Sequence, residues 1–154
     1  MLFVLFQLGP ERYALEAARV VEVLPLVDVK EVLRAPAGIA GTLDYHGEFV
    51  PVIDLSDLVL GRPAARRLST RIILARHTGE GGRPLLLGLI AENATETIRL
   101  DPGDFVSPGI VGEGMPYLGP VAKVAHGTVQ QIDLARLLPE SARDVLFRQP
   151  VDAP

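Results

Sequence analysis

The stretch Ile39–Gly61, IAGTLDYHGEFVPVIDLSDLVLG, predicts a strand, a tight turn, a second strand and a capped helical turn in one unbroken segment. Leu43 and Tyr45 stand two apart ahead of a His46-Gly47-Glu48 turn. Phe49 to Leu55 is a nearly continuous apolar run, the mark of a strand covered on both faces. Pro51 falls inside that run and donates no ladder hydrogen bond, which predicts a sheet edge or a position opposite a bulge. Asp54 and Ser56 can accept from the free amides of a helical turn that Gly61 closes.

Upstream, Leu2 to Leu8 has strand length, Gly9-Pro10-Glu11-Arg12 is turn chemistry, and Tyr13-Ala14-Leu15 begins the return strand of a hairpin. One helical turn over Glu16 to Arg19 precedes a β-branched strand, Val20 to Leu24, with Val20, Glu22 and Leu24 on one face. If that face is buried, Glu22 needs a cation or several donors, since an unpaired buried carboxylate is costly. Downstream, Arg62 to Ser69 is a polar linker whose arginines form a solvated face. Thr70 to Ala75 is a strand, His77 to Pro84 a glycine-rich turn and Leu85 to Ala91 its antiparallel partner, with an interruption at Glu92–Thr95 before Glu96 to Leu100. Asp101 to Pro120 holds short strands or a functional loop, anchored by Ile110-Val111 and Tyr117-Leu118. Val129 to Leu134 is the last strand, Ser141 to Phe147 a C-terminal helix, and 149–154 a frayed tail.

The chain repeats itself. Ile53-Asp54-Leu55 with Leu58 recurs as Ile132-Asp133-Leu134 with Leu137, and Ala14-Leu15 through Glu22 and Leu24 is matched by Gly88-Leu89 through Glu96 and Ile98. Two halves, 2–60 and 69–138, thus share one order of elements within a single domain over 1–148. The expected fold is all-β: two small β-barrels packed together, with short helical turns.

Composition bounds the function. With 154 residues and 48% hydrophobic content the chain builds a core without staples, and the absence of cysteine excludes disulfides and thiolate metal sites. A net charge of −4 argues against a nucleic-acid surface and against anionic membranes. Mean hydropathy is +0.28, yet no apolar run approaches the roughly 18 residues that span a bilayer. A cytoplasmic protein whose surplus apolar surface meets partner proteins is expected.

An enzyme would have to assemble a site from His46, His77, His126, Asp54, Asp133, Glu22 and Glu96. Asp54 and Asp133 recur at one point of the repeat, which fits duplicated caps rather than a carboxylate pair. His77 and His126 lie by glycine-containing turns and are expected at the surface, without metal-ligand spacing. Gly79-Glu80-Gly81-Gly82 lacks the lysine of a phosphate loop, and no serine has a nucleophile-elbow context. No catalytic residue, metal or cofactor is expected. A regulatory barrel that binds a ligand or peptide would need a deep apolar pocket between the barrels, whereas a scaffold needs external patches and grooves.

The pattern F-Q-L-G-x-E-x-Y-A-L of Phe6–Leu15, V-x-E-V of Val20–Val23, A-P-A-G-I-x-G of Ala35–Gly41 and G-E-F-V-P-V-I-D-L of Gly47–Leu55 resembles the CheW family of chemotaxis coupling proteins, from Phe3 to about Leu138. The resemblance implies two SH3-like β-barrels and a non-catalytic adaptor that joins the signalling tip of chemoreceptors to the regulatory domain of a CheA-type histidine kinase at membrane-associated arrays. The start at Phe3 and the Arg-rich, Lys-poor surface are similar to coupling proteins of surface-sensing, Wsp-type systems. Alignment with the family's contact surface implies partner binding through Val20, Glu22, Gly41, Leu43, His46, Arg71, Asn93 and Thr97, clustered near the junction of the barrels, with Gly47, Pro51, Asp54 and Asp133 as structural positions.

One departure stands out. The family's N-L-R-G is Asp44-Tyr45-His46-Gly47 here, so His46 replaces an arginine that the resemblance places opposite Glu22, and His46 is expected within reach of that carboxylate. Gln130-Gln131 replaces aliphatic residues and predicts a more solvated last strand.

Overall fold

In the computed structural model of the chain the described residues are 1–78, 84–108, 117–125 and 127–137. The expected C-terminal helix, the tail, His126 and Ile110-Val111 lie outside them. The elements in order are β1 (Leu2–Leu8), β2 (Glu11–Glu16), a 3₁₀ turn (Ala17–Arg19), β3 (Val20–Pro25), β4 (Ile39–Tyr45), β5 (Glu48–Asp54), α1 (Leu55–Leu60), β6 (Arg71–Thr78), β7 (Pro84–Arg99), a 3₁₀ turn (Pro102–Asp104), β8 (Phe105–Val106), β9 (Leu118–Val124), β10 (Gly127–Ile132) and a last 3₁₀ turn (Leu134–Arg136).

Strand pairing builds two barrels that share β7. The first runs β3-β6-β7-β5-β4 and the second β7-β1-β2-β10-β9-β8. Residues 84–91 of β7 pair with β6, and Glu92 to Arg99 pair with β1. The interruption expected at Glu92–Thr95 is therefore a place where one continuous strand changes sheets. Asn93 takes φ 50 there, a left-handed turn that asparagine tolerates better than most side chains.

The pairing divides the chain differently from the sequence halves. The β1–β2 hairpin joins the second barrel, where β2 runs parallel to β10 through Arg12↔Val129, while β6 and the first part of β7 complete the first barrel, where β5 runs parallel to β7 through Val52↔Gly88. Each half thus lends its opening hairpin to the other. The equivalence reaches the caps: Asp54 N donates to Gly38 O at 2.8 Å, and Asp133 N donates to Tyr117 O at 2.7 Å.

Period-2 alternation explains why so many strands are apolar on both faces. In β1, Phe3 and Leu5 fill the second barrel with Ala14, Ala122 and Val129, while Val4, Phe6 and Leu8 face a core between the barrels. Ile53, Ile73, Leu87, Leu89 and Ile132 complete that shared core, and Val50, Val52, Ile72, Leu74 and Ile90 fill the first barrel.

Three details depart from the sequence expectations. Pro51 is buried in a strand with neighbours on both sides, because the parallel ladder with β7 begins one residue later, at Val52, where no proline amide is required. His77 lies in β6 and is 2% exposed, on the strand face that Ile73 and Ala75 give to the shared core. Of the two alternatives for Asp101 to Pro120, its described residues show short strands, β8 and the start of β9. Gln130 and Gln131 are half-buried, because Gln130 Nε2 donates to Gly119 O and Gln131 Nε2 to Glu16 Oε1, each at 3.0 Å.

Candidate functional site

A bulge in β3 sets the geometry. Val20 is opposite Ala75, but the register shifts before Glu22, which is opposite Leu74. The shift turns Val20 toward the shared core and Glu22 toward the mouth of the first barrel, so the two do not share a face as alternation predicted. Glu22 is exposed there, and its Oε2 accepts the Tyr45 hydroxyl at 2.5 Å.

This bond spans a seam. Strands β3 and β4 are not paired directly; a bridge between Lys30 and Thr42 closes one end, and Tyr45 with Glu22 ties the other. The expectation that His46 faces Glu22 is corrected: the carboxylate is held by the neighbouring tyrosine. His46 (φ 51) and Gly47 (φ 85) both have positive φ, as a two-residue hairpin turn requires, which lifts His46 beyond the end of β4. Its ring meets the Tyr45 ring edge-on, with centroids 4.3 Å apart. The turn is fastened by Gly47 N donating to Asp44 Oδ1 at 2.9 Å.

The remaining sequence-selected residues separate into groups. Val20 is half-buried at the edge of the shared core, and Thr97, exposed on β7, is opposite Val4 of the same core. Gly41 is buried beneath Lys30, and Leu43, half-buried, packs against the first barrel's core. Arg71 is opposite Pro25 at the far end of β3. Asn93 donates from Nδ2 to Gln7 Oε1 at the strand crossing and lines a separate groove. Sequence reasoning missed Phe49, which is 72% exposed on β5 opposite Asp44 and next to the His46-Gly47 turn. The apolar run around it gave no sign that the hairpin carries this residue past the edge of the core.

The Glu22 hydrogen bond raises the Tyr45 pKa above the ordinary 10.0, because the carboxylate accepts only from the protonated phenol. Desolvation raises Tyr13 and Tyr117 in the same direction. These are all three tyrosines of the chain. A pKa raised on folding contributes stability that is complete below the unfolded value and lost as pH climbs through the folded one. Absorbance titration of the native protein is therefore expected to show phenolate appearing at higher pH than in denaturant, with stability falling only in that alkaline window. Tyr45→Phe removes one of the three late-titrating phenols; coincident native and denatured titrations would overturn this assignment.

The family described as CheW-like domain matches residues 2–142. This chain belongs to that family. It is 29% identical over 136 residues to the chemotaxis protein CheW of Treponema pallidum (strain Nichols), covering 83% of this chain and 72% of that protein. Its fold is similar to the crystal structure of scaffolding protein TtCheW from Thermoanaerobacter tengcongensis, with a TM-score of 0.80 and 25% identity, over 92% of this chain and 89% of that one. No helix among the described residues is long and apolar enough to cross a membrane.

Proposed function

We propose that the chain is a non-catalytic adaptor that couples the signalling tip of chemoreceptors to the regulatory domain of a CheA-type histidine kinase, in the cytoplasm at membrane-associated arrays. The observation that carries the reading is the family match across both barrels. The barrels and the space between them are filled with aliphatic and aromatic side chains, so the chemistry on offer is external. A deep apolar pocket between barrels, which a ligand-binding regulator needs, is replaced among the described residues by the shared core.

Within this function, the partner-facing surface is the margin marked by Val20 and Thr97 together with the β4–β5 turn of Tyr45, His46 and Phe49. An aromatic residue as exposed as Phe49 in a folded domain is the kind of anchor that interfaces bury. The Arg-rich surface supports a place in a surface-sensing array, which genes for a receptor, a hybrid kinase and a diguanylate cyclase beside this one would corroborate.

The test is titration calorimetry against the cognate receptor signalling domain and the kinase regulatory domain. Phe49→Ser, Val20→Glu and Thr97→Arg are each expected to weaken at least one of these complexes tenfold or more, about 1.4 kcal/mol. Melting temperatures stay close to the parent for Phe49→Ser and Thr97→Arg, since exposed positions cost under about 0.5 kcal/mol. No binding by the parent chain to either domain rejects the coupling function, whereas parent-like binding by all three variants rejects only this surface.

A further inference from the structure

We propose that a second groove, bounded by the β1–β2 turn, the 61–70 linker and the strand crossing in β7, is a docking site for an acidic extended segment of a partner protein. The groove has a volume of about 370 Å³, and Gln7, Gly9, Arg62, Arg67, Glu92 and Asn93 line it. It requires neither receptor nor kinase and is independent of the coupling assignment.

The linker is fastened over this groove. Ala64 N donates to Asp54 Oδ2 at 2.9 Å and Ala65 N to Glu92 Oε1 at 2.6 Å. The buried Thr70 hydroxyl donates to Ala65 O at 2.5 Å, and Ala94 N donates to Ser69 O at 3.1 Å. The backbone that carries Arg62 and Arg67 is thus held at several points. On the opposite wall is Gly9 at φ 59, with the Arg62 guanidinium close by: a Cβ on Gly9 would lie in ordinary contact with Nη2, at 3.7 Å.

The charges in the groove are unbalanced. Among the described residues neither Arg62 nor Arg67 forms an ion pair, whereas Arg66 pairs with Asp28 at 3.6 Å. Glu92 is the one acid among the groove-lining residues named, and an oxygen of its carboxylate is already engaged by the Ala65 amide. Gln7 spends its amide oxygen on Asn93 and keeps donors for a ligand. Two guanidinium groups in a chain of net charge −4 make a local positive site, and their planar forks fit carboxylates two hydrogen bonds at a time. Leu68 follows Arg67 in the linker, outside the groove lining, and is fully exposed at 100%, an apolar side chain that a peptide extending from the groove can meet and a bare anion cannot use. Acidic residues flanking an apolar one match this arrangement.

The experiment is nitrogen–proton correlation NMR of the full chain titrated with the peptide Glu-Asp-Leu-Glu-Glu, capped at both ends, at low salt. Shifts are expected at Gln7, Gly9, Ser69, Thr70 and Asn93, fading as salt is raised. Affinity falls at least tenfold in Arg62→Ser/Arg67→Ser, about threefold in Leu68→Ser, and stays unchanged in Arg66→Ser. No shifts at these residues, or equal binding by Arg62→Ser/Arg67→Ser, overturns the proposal. Inorganic phosphate binding the same residues as tightly as the peptide, with no effect of Leu68→Ser, also overturns it in favour of a small-anion site.

Discussion

Replacing Gly41 with alanine is expected to lower stability by about 3 to 5 kcal/mol, the sum of forced overpacking and an unfavourable backbone conformation. A Cβ at this position would lie 2.1 Å from the Lys30 carbonyl oxygen and 2.7 Å from its carbon, at φ 152. The obstacle is backbone, so no rotamer change relieves it. Lys30 and Thr42 exchange two hydrogen bonds at this point, Lys30 N to Thr42 O at 2.9 Å and Thr42 N to Lys30 O at 2.8 Å. Moving Lys30 aside would therefore break the bridge that closes one end of the seam. Gly47→Ala is the control, because no atom lies within 4 Å of its Cβ and only the cost of φ 85, about 1 kcal/mol, remains. Thermal unfolding distinguishes the two roles open to Gly41: a variant that melts like the parent yet loses partner binding would make it a contact residue and not a packing one.

Asp54→Ala is expected to cost about 2 to 3 kcal/mol, and Asp133→Ala under about 1 kcal/mol, although the two aspartates occupy equivalent places. Asp54 is 9% exposed, and its carboxylate accepts from Asp57 N at 3.2 Å and from Ala64 N at 2.9 Å. It caps α1 and holds the linker as well. Asp133 accepts from Ala135 N at 3.0 Å and pairs with Arg136 at 3.7 Å, both near solvent, where such ion pairs add little. Asp54→Asn separates Asp54's two duties: it retains one acceptor for the cap and turns an amide donor toward the Ala64 amide. A midpoint for Asp54→Asn indistinguishable from the parent would show that the linker contact contributes nothing.

The Ile39–Gly61 segment was legible because each of its signals is local. A His-Gly turn with positive φ, an aspartate before a helical turn and a glycine in the left-handed region after it each state their own geometry. Repetition of the Ile-Asp-Leu cap then indicated two barrels. What was not legible depends on partners distant in sequence. Alternation in β1 shows that both faces are buried, but not that one faces a barrel interior and the other a second barrel. Glu92–Thr95 looked like a break, because nothing local says that Asn93 lets a strand pass from one sheet to the next. The arginine expected from the resemblance points to His46 as the partner of Glu22, when Tyr45, one residue earlier and still on the strand, has both the reach and the donor.

The exchange of opening hairpins between the halves has a consequence for synthesis at the ribosome. The first sixty or so residues emerge with β3, β4 and β5 but without β6 and β7, the strands that complete their barrel. Meanwhile β1 and β2 wait for β10, since Arg12 finds its neighbour only when Val129 has been made. The strands of the first barrel are all present once Arg99 has been made, whereas the second barrel stays open until β10 follows. The second barrel therefore closes last, through a distant pairing, and until then nascent chains carry the unpaired edge of β2, which makes products that stop short of β10 aggregation-prone.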